Sequence, residues 1–510
     1  MSLIFLFLCT ILFCAFSAAE YKPDWSSIDS RPLPSWFDDS KLGIFTHWGV
    51  YSVPAFEDAW FWWYWQGEKK PEVLDFVAKH YGNRTAYADF AHEFTGEDFD
   101  ADHYAEIVKS SGARYFVFTS KHCEGFTNWP SKYSWNWNSK DIGPHRDIVG
   151  ELKHSIQKQG IHFGLYYSLY TWFHPLYISD PQRNRSEYVQ TVVIPQLLEI
   201  VNEYQPDLIW SDGDWDRTVE YWKSREFIAW LYNKSPIKDK VVINDRWGQG
   251  AMGHHGGYMT HQDHYDPGVL QPRKWENCLT MDRYSWAFRR DLKEADVLSF
   301  KEIVTQLART ISCGGNMLLN IGPTREGRVI PIFEQRLREL GQFVSINDEA
   351  IFGTKPWIHQ NDTDKIWYTS RVRDISIMNP NRLVNPQNEK NTIIYAFVIE
   401  IPHDNTLRLS SIVATDNTKV TMLSKEKFKF QIKKSGNVTV DLSQVPWQNW
   451  PSTECIVLKI EYAATSNFDP ISSAKTNQEQ ARTNIFGFES SEEKSDNWGS
   501  FNPFTDTDHF

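Results

Sequence analysis

The sequence predicts an α/β protein: a TIM-like (β/α) barrel followed by a C-terminal β-sandwich. Over ~300 residues, short apolar segments alternate with amphipathic helical segments, which is typical of a parallel sheet covered by helices. Polar and aromatic residues stand where the apolar segments end, as they do at the mouth of a barrel. Near Ile351 the pattern changes to short alternating strands separated by turn residues, which is typical of an antiparallel sandwich.

The individual elements follow from apolar runs and from apolar residues at helical spacing. The predicted barrel strands are Leu42–His47, Tyr115–Ser120, His162–Ser168, Leu208–Asp212, Val241–Asp245 and Met317–Ile321. The predicted helices between them are Asp102–Ser110, Ile148–Lys158, Tyr188–Tyr204 and Glu220–Tyr232. The predicted sandwich strands include Lys365–Ser370, Thr392–Ile399 and Ile456–Tyr462. We therefore assign residues 20–350 to the barrel and residues 351–463 to the sandwich.

Both ends of the chain are predicted to lie outside these two domains. Met1–Ala19 is apolar and has small residues at Ser17 and Ala19, which indicates a cleaved signal peptide rather than a membrane span. Residues 464–510 are rich in Ser, Asn, Glu, Lys and Thr, which predicts a disordered polar tail. The mature protein is then lysosomal or secreted, and glycan could be carried at five sequons, Asn83, Asn184, Asn233, Asn361 and Asn437.

Composition excludes several functions. The formal net charge of −12, with no basic stripe, argues against a nucleic-acid partner. After the signal peptide the cysteines have no zinc spacing and are too few for a disulfide scaffold, so we expect no metal, no other cofactor and at most one or two disulfides; they are Cys123, Cys278, Cys313 and Cys455. The 23 tryptophans often stand beside acidic residues, which favours a carbohydrate cleft over the alternative, an aromatic-rich core.

The most informative motif is the run Pro206–Trp215, in which a short apolar segment ends in carboxylates and tryptophans. A buried strand ending at Asp212 would place a carboxylate at the mouth of the barrel. A retaining glycosidase needs such a carboxylate as its nucleophile, and indole rings pack well on the C–H face of a sugar. The alternative is an aspartate that only caps the helix after a core strand.

Polar side chains also stand at the ends of the other predicted strands, at His47, His122, Tyr166 and Arg246. A single histidine on a strand is more often a satisfied core residue. Several such groups at successive strand ends instead indicate one polar pocket.

Long motifs of the chain resemble the α-L-fucosidases of glycoside hydrolase family 29, over roughly Trp25 to Tyr462. The motifs are Gly43–Val50, Phe126–Ser131, Trp135–Asp141 and Pro206–Asp214, and the spaced residues from Pro267 to Cys278 resemble the family signature. The resemblance implies an exo-acting enzyme that removes α-linked fucose from glycoprotein and glycolipid glycans with net retention. It is strongest for the animal lysosomal and secreted members, which are often oligomeric, so a homo-oligomer is possible although no residue specifies an interface.

The resemblance also implies roles for individual residues. Asp212 would be the nucleophile, and fucose would bind to His47, His122, Tyr166, Trp210 and Arg246. An arginine near Asp212 would keep that carboxylate ionised, and histidines can donate to hydroxyls or accept from them. Because fucose lacks a 6-hydroxyl, part of the pocket should be apolar, and the aromatic run that begins at Trp60 could surround the methyl group.

The general acid/base is less determined, because its position varies among subgroups of the family. The two candidates are Asp263 and Glu276. We favour Asp263, because a loop after Arg246 can bring a carboxylate over the glycosidic oxygen. Glu276 stands on a predicted strand, where the alternative is a structural ion pair with Lys274 or Arg273.

Two positions depart from the family pattern. The family commonly has Glu immediately before the Trp-Phe-Trp-Trp run, where this chain has Ala59, with Asp58 one residue upstream. A carboxylate moved by one residue in an extended chain points to the opposite side. The family also often has a second histidine after His122, where this chain has Cys123. We therefore expect an active enzyme with weakened transition-state binding, and a non-catalytic fucose-binding protein on the same scaffold is the alternative function.

Overall fold

The computed structural model describes residues 20–82, 84–183, 185–374 and 382–465. Its first unit is a curled sheet of seven parallel strands in the order β5-β4-β3-β2-β1-β7-β6, which confirms the predicted TIM-like architecture. The strands are β1 (Leu42–Thr46), β2 (Tyr115–Lys121), β3 (His162–Ser168), β4 (Leu208–Asp212), β5 (Val242–Ile243), β6 (Trp275–Thr280) and β7 (Gly315–Ile321). Nearly every strand residue is buried, as expected when helices cover a parallel sheet.

A short segment bridges the two edges of this sheet and closes the barrel. Tyr258 donates its backbone N–H to Ile243 O on β5, over 3.2 Å. Met259 donates to Lys274 O at 2.9 Å, and its own carbonyl accepts from Glu276 N at 2.8 Å, beside β6. The closed but irregular ring brings the ends of all the strands to one mouth.

The helices surround this barrel. They are α1 (Trp25–Ile28), α2 (Ser35–Ser40), α3 (Pro71–His80), α4 (Phe90–Glu93), α5 (Ala101–Ser110), α6 (Ile148–Lys158), α7 (Pro175–Arg183), α8 (Ile194–Glu199), α9 (Val219–Trp222), α10 (Ser224–Asn233), α11 (Phe300–Ser312) and α12 (Pro331–Ile351). Helix α8 continues at both ends into single π-helical turns, so the predicted helix Tyr188–Tyr204 is present. None of the helices in the described parts of the chain is long and apolar enough to cross a bilayer.

Most predicted elements differ from the observed ones by one or two residues at an end, and three differences have a clear local reason. The predicted helix Glu220–Tyr232 is divided at Lys223, whose backbone is left-handed with φ 57°. The predicted strand Val241–Asp245 is reduced to β5, because the Asn244 side chain turns to β4 and bonds both the backbone and the hydroxyl of Ser211. Strand β1 ends one residue early, at Thr46, so the next residue lies free of the ladder at the barrel mouth.

The C-terminal unit is an antiparallel sandwich, as predicted. A five-stranded sheet in the order β12-β14-β10-β9-β8 faces a two-stranded sheet, β11-β13, across a separate apolar core. The strands are β8 (Lys355–Thr363), β9 (Ile366–Val372), β10 (Thr392–Val398), β11 (Thr406–Val413), β12 (Lys419–Met422), β13 (Asn437–Asp441) and β14 (Ile456–Glu461). The Arg309 guanidinium of α11 lies 5.0 Å from the Trp367 ring, and Glu349 of α12 pairs with Lys459 at 2.7 Å, so the barrel and the sandwich are in contact.

The remaining predictions concern the two ends of the chain, the glycosylation sequons and the cysteines. The signal peptide Met1–Ala19, the tail from residue 466 onward and the sequons at Asn83 and Asn184 lie outside the described residues. The Asn233 side chain bonds the backbone of Tyr21 through both its oxygen and its nitrogen, whereas Asn361 is half-buried on β8 and Asn437 is exposed at the start of β13. The four cysteines of the described chain are buried and unpaired.

Candidate active site

The Asp212 carboxylate lies at the mouth of the barrel, at the last position of β4. Its Oδ1 is 3.1 Å from Arg246 Nη1, and its Oδ2 accepts a hydrogen bond from the Tyr166 hydroxyl at 2.8 Å. The side chain keeps 14% of its surface exposed. Two donors therefore stabilise negative charge on this carboxylate and orient it, while part of it stays open to a ligand.

One guanidinium joins two carboxylates. Arg246 Nη2 is 2.6 Å from Asp263 Oδ1, while Nη1 of the same group holds Asp212. Arg246 Nε donates to Thr260 Oγ1 at 2.9 Å, and its guanidinium lies 4.6 Å from the centre of the Trp210 ring. Burial would lower the pKa of Arg246, but the two aspartates outweigh it and raise that pKa well above its usual range. The arginine is thus a fixed positive charge between two acidic side chains.

Glu276 lies deeper, inside the barrel and beneath this constellation. It is fully buried, and it accepts hydrogen bonds from the Tyr115 hydroxyl at 2.7 Å and from Trp210 Nε1 at 2.9 Å. Burial raises the pKa of Glu276 to about 7. The hydrogen bond from Trp210 to Glu276 fixes the indole ring that packs against the Arg246 guanidinium.

The ion pair expected as the alternative for Glu276 is absent from the described residues. Lys274 pairs instead with Asp38 at 2.7 Å, on the outside of the strand. Arg273 donates to the backbone carbonyls of His254 and Gly256. Since neighbouring residues on a strand point to opposite faces, Lys274 cannot share the barrel interior with Glu276.

His47 follows β1 and acts as a neutral histidine. Its Nδ1 is 2.7 Å from Asn320 Oδ1, and Asn320 Nδ2 donates to Trp286 O at 2.6 Å, so the amide oxygen faces the histidine. Nδ1 must therefore carry the proton, which leaves Nε2 as an acceptor. Burial, together with the nearby His122, lowers the pKa of His47 well below its usual value.

His122 follows β2 and has the opposite character. Its Nδ1 is 3.3 Å from Glu124 Oε2, and its Nε2 is 4.0 Å from Cys123 Sγ. Burial lowers the pKa of His122, but the Cys123 sulfur and the Glu124 carboxylate outweigh it and raise that pKa well above its usual value. The two histidine rings, 5.9 Å apart, so provide one acceptor and one donor for a ligand.

An aromatic wall lies beside the histidines. The ring of Trp60 lies 5.3 Å from that of Trp172 and 6.0 Å from that of Trp215. Trp172 in turn lies 5.9 Å from His122, and Trp286 lies 5.1 Å from His47. Trp60 therefore belongs to an apolar surface beside the two histidines.

Ala59 and Cys123, the two residues that depart from the family pattern, are both buried. Ala59 is fully buried in a small apolar cluster with Tyr51 and Ala287. Asp58 accepts hydrogen bonds from Ser285 Oγ at 3.0 Å and from Trp286 N at 2.8 Å, so it holds the loop that follows β6. Cys123, also fully buried, accepts from the Ser168 hydroxyl at 3.4 Å.

Sequence reasoning missed four residues of the site. Trp172, Trp286 and Asn320 stand near the ends of β3, β6 and β7, and that position was the available signal. Asp214 follows the nucleophile candidate by two residues, and burial raises its pKa to about 7. No hydrogen-bond partner for Asp214 Oδ1 lies among the described residues. The same part of the chain contains no group of three His, Cys, Asp or Glu side chains arranged to hold a metal ion.

Comparison with known proteins agrees with this geometry. The model of the family described as Alpha-L-fucosidase matches residues 11–349, and that of the Alpha-L-fucosidase C-terminal domain matches residues 381–461. The putative alpha-L-fucosidase of Caenorhabditis elegans is 52% identical over 477 residues, which cover 92% of this chain and 99% of the relative. Tissue alpha-L-fucosidase of Homo sapiens is 45% identical over 446 residues, covering 86% and 92%.

The fold also matches solved structures of such proteins. The crystal structure of Thermotoga maritima alpha-fucosidase matches with a TM-score of 0.69 and 30% identity, covering 86% of this chain and 99% of that chain. The same bacterial protein in complex with fucose matches with a TM-score of 0.68 and 28% identity, covering 86% and 100%. The chain therefore belongs to the α-L-fucosidase family of glycoside hydrolases.

Proposed function

We propose that this protein is a retaining exo-α-L-fucosidase that cleaves α-L-fucosyl linkages of glycoprotein and glycolipid glycans. The observation that carries the proposal is the pair of carboxylates, Asp212 and Asp263, bound to two nitrogens of the Arg246 guanidinium. Two carboxylates that share one guanidinium lie close together. This arrangement supports the separation of about 5–5.5 Å that retaining enzymes use, rather than the wider gap of inverting ones.

In the first step Asp212 attacks the anomeric carbon and forms a covalent fucosyl ester. The glycosidic bond breaks, and the leaving oxygen takes a proton from Asp263. In the second step Asp263 removes a proton from a water molecule, which attacks the anomeric carbon, releases L-fucose and restores Asp212. Arg246 and Tyr166 hold the nucleophile in place throughout.

Exposure supports Asp263 over Glu276 as the acid/base. The Asp263 side chain is 44% exposed at the barrel mouth, where a leaving group must exit. Glu276 is fully buried and both of its oxygens accept hydrogen bonds from barrel side chains. This enclosure of Glu276 supports Asp263 as the carboxyl group that protonates the glycosidic oxygen.

The two histidines and the aromatic wall suit a terminal fucose. His47 offers an acceptor and His122 a donor, which together can bind neighbouring sugar hydroxyls. Trp60 and Trp172 supply an apolar surface for the sugar's methyl group. Below them Trp210 and Glu276 fill the barrel, so the pocket takes the end of a chain rather than its middle.

The first experiment is hydrolysis of an aryl α-L-fucoside by the purified protein. Wild type should release fucose, with the β-anomer unreactive, and Asp212→Gly should abolish turnover. Azide should restore part of the Asp212→Gly activity and give β-fucosyl azide, because the small anion enters the space left by the carboxylate. Near-normal activity in this variant would exclude Asp212 as the nucleophile, and a wild type that binds fucose without hydrolysis would favour a binding protein.

The acid/base assignment needs a series of leaving groups. Asp263→Ala should slow aryl fucosides with poor leaving groups far more than those with good ones, since good leaving groups depart without protonation. Glu276→Gln is the matched control and should slow all substrates alike, if at all. If the leaving-group dependence follows Glu276 instead, the two roles must be exchanged.

The protein is proposed to act in lysosomes or outside the cell. The predicted signal peptide supports this location, as do relatives named tissue alpha-L-fucosidase and plasma alpha-L-fucosidase. Glycosylation at the exposed Asn437 would be direct evidence for this location. Digestion of the secreted protein with a peptide N-glycosidase should lower its apparent mass, and Asn437→Gln should lower it by one glycan.

A further inference from the structure

A large cleft separates the barrel from the sandwich, away from the catalytic pocket. Its volume is about 1090 Å³, comparable with sites that take ligands of several rings. It is lined by Ser299–Lys301 at the start of α11, by α12 from Arg336 to Asn347, and by the sandwich segments 424–426 and 448–454. Helix α11 starts after β6, at the end of the barrel that carries the carboxylates, so the cleft begins on the active-site side.

Two tryptophans mark the sandwich side of this cleft. Trp450 lines it, and Trp447, which directly precedes the lining residue Gln448, has 71% of its surface exposed. The two rings lie 5.9 Å apart at 33° to each other. An exposed indole gains nothing from the core of its own domain, whereas paired indoles offer a broad surface to the C–H faces of sugar rings.

The polar groups of the cleft suit an uncharged, hydroxyl-rich ligand. Three cationic and three anionic side chains balance along its walls, Lys301, Arg336, Lys425, Glu339, Glu426 and Glu454. The amides of Gln448 and Asn449 provide paired donors and acceptors beside Trp450. Asn347 also lines the cleft, and its buried Oδ1 accepts no hydrogen bond from any described residue. Since that oxygen is enclosed, the hydroxyls of a ligand would meet the amides of Gln448 and Asn449 instead.

We propose that this cleft is a second carbohydrate-binding site that holds a neutral oligosaccharide branch of the glycan being defucosylated. Its ligand class rests on the proposed function. Trp447 and Trp450 stack on the sugar rings, and the amides bind their hydroxyls. The balanced charge distinguishes this occupant from an anionic glycan or a nucleic acid. The site would raise the affinity for a large glycan through a second contact, without touching the bond that is cleaved.

The direct test is binding of a fucose-free, neutral N-glycan oligosaccharide, measured by calorimetry and by saturation-transfer NMR. Because this ligand has no fucose, the result does not depend on whether the catalytic proposal is right. Trp447→Ala and Gln448→Ala should each weaken binding, Trp447→Ala on the order of tenfold, and Trp447→Phe should keep most of it. Val413→Ala, which changes an exposed apolar residue on the same sandwich, is the matched control and should bind like wild type.

A kinetic comparison follows the same variants. Trp447→Ala should raise KM for a fucosylated N-glycan several-fold and leave kcat/KM for an aryl α-L-fucoside unchanged. The proposal is overturned if wild type does not bind the fucose-free glycan, or if Trp447→Ala binds it as well as wild type. It is also overturned if Trp447→Ala changes only the oligomeric state in size-exclusion chromatography, since the tryptophans would then contact a second copy of the chain.

Discussion

Glu276 is a buried acid whose ionisation should make the fold less stable as pH rises. Burial raises its pKa from 4.5 to about 7, so the unfolded chain loses this proton at lower pH than the folded protein. Below the lower value both states are protonated and the group has no effect. Between the two values the folded state loses stability, and above the higher value the loss is complete at about 3 kcal/mol.

Glu276→Gln copies the protonated carboxyl group and cannot ionise. The free energy of unfolding of the variant should therefore rise relative to wild type by about 2–3 kcal/mol between pH 5 and pH 8. Urea unfolding followed by tryptophan fluorescence measures this difference at both pH values. The exposed Glu426→Gln on the sandwich is the control, and its stability should run parallel to wild type. Parallel curves for wild type and Glu276→Gln would refute the raised pKa and its structural cause.

Three further predictions concern the sugar pocket. Glu124→Gln removes one of the groups that, with Cys123, raise the pKa of His122, so that pKa should fall when the imidazole is titrated by NMR; an unchanged pKa contradicts this. Asp58→Ala removes the acceptor that holds the loop of Trp286 and should lower kcat/KM for an aryl fucoside. Asp58→Asn keeps an acceptor and should change little, and an equal loss in both variants would contradict the role of the loop. Ala59→Glu places a carboxylate in a fully buried apolar contact, so we expect a lower Tm. The family pattern alone would suggest improved catalysis instead. A higher kcat/KM at unchanged Tm would show that the pocket has room for the glutamate side chain.

Where several local sequence signals agree, the first and last residues of the element were predicted correctly. Helix Ile148–Lys158 begins after Asp147, whose side chain accepts from Gly150 N and caps it. Strands His162–Ser168 and Leu208–Asp212 are continuous apolar runs bounded by polar residues. The end of β5 was not predictable, because a contact between strands through the Asn244 side chain decides it.

The functional site also has some features that the sequence predicts and others that only tertiary contacts decide. Asp212, Tyr166 and Arg246 stand at strand ends, where the barrel topology brings side chains from distant parts of the chain together. The depth of Glu276 and the bridging of Asp263 to Arg246 depend on how far each side chain reaches into the barrel. No spacing along the chain contains that information.

The sequence by itself determined the architecture, the family and the residue types at the barrel mouth, because these depend on apolar periodicity and on motifs that are local in the chain. Only the tertiary structure decided the state of each group. The proton on His47 Nδ1 depends on Asn320, and the raised pKa of Glu276 depends on its burial inside the barrel. Protonation follows the electric field and the dielectric around a group, and both are set by residues that meet only when the barrel closes.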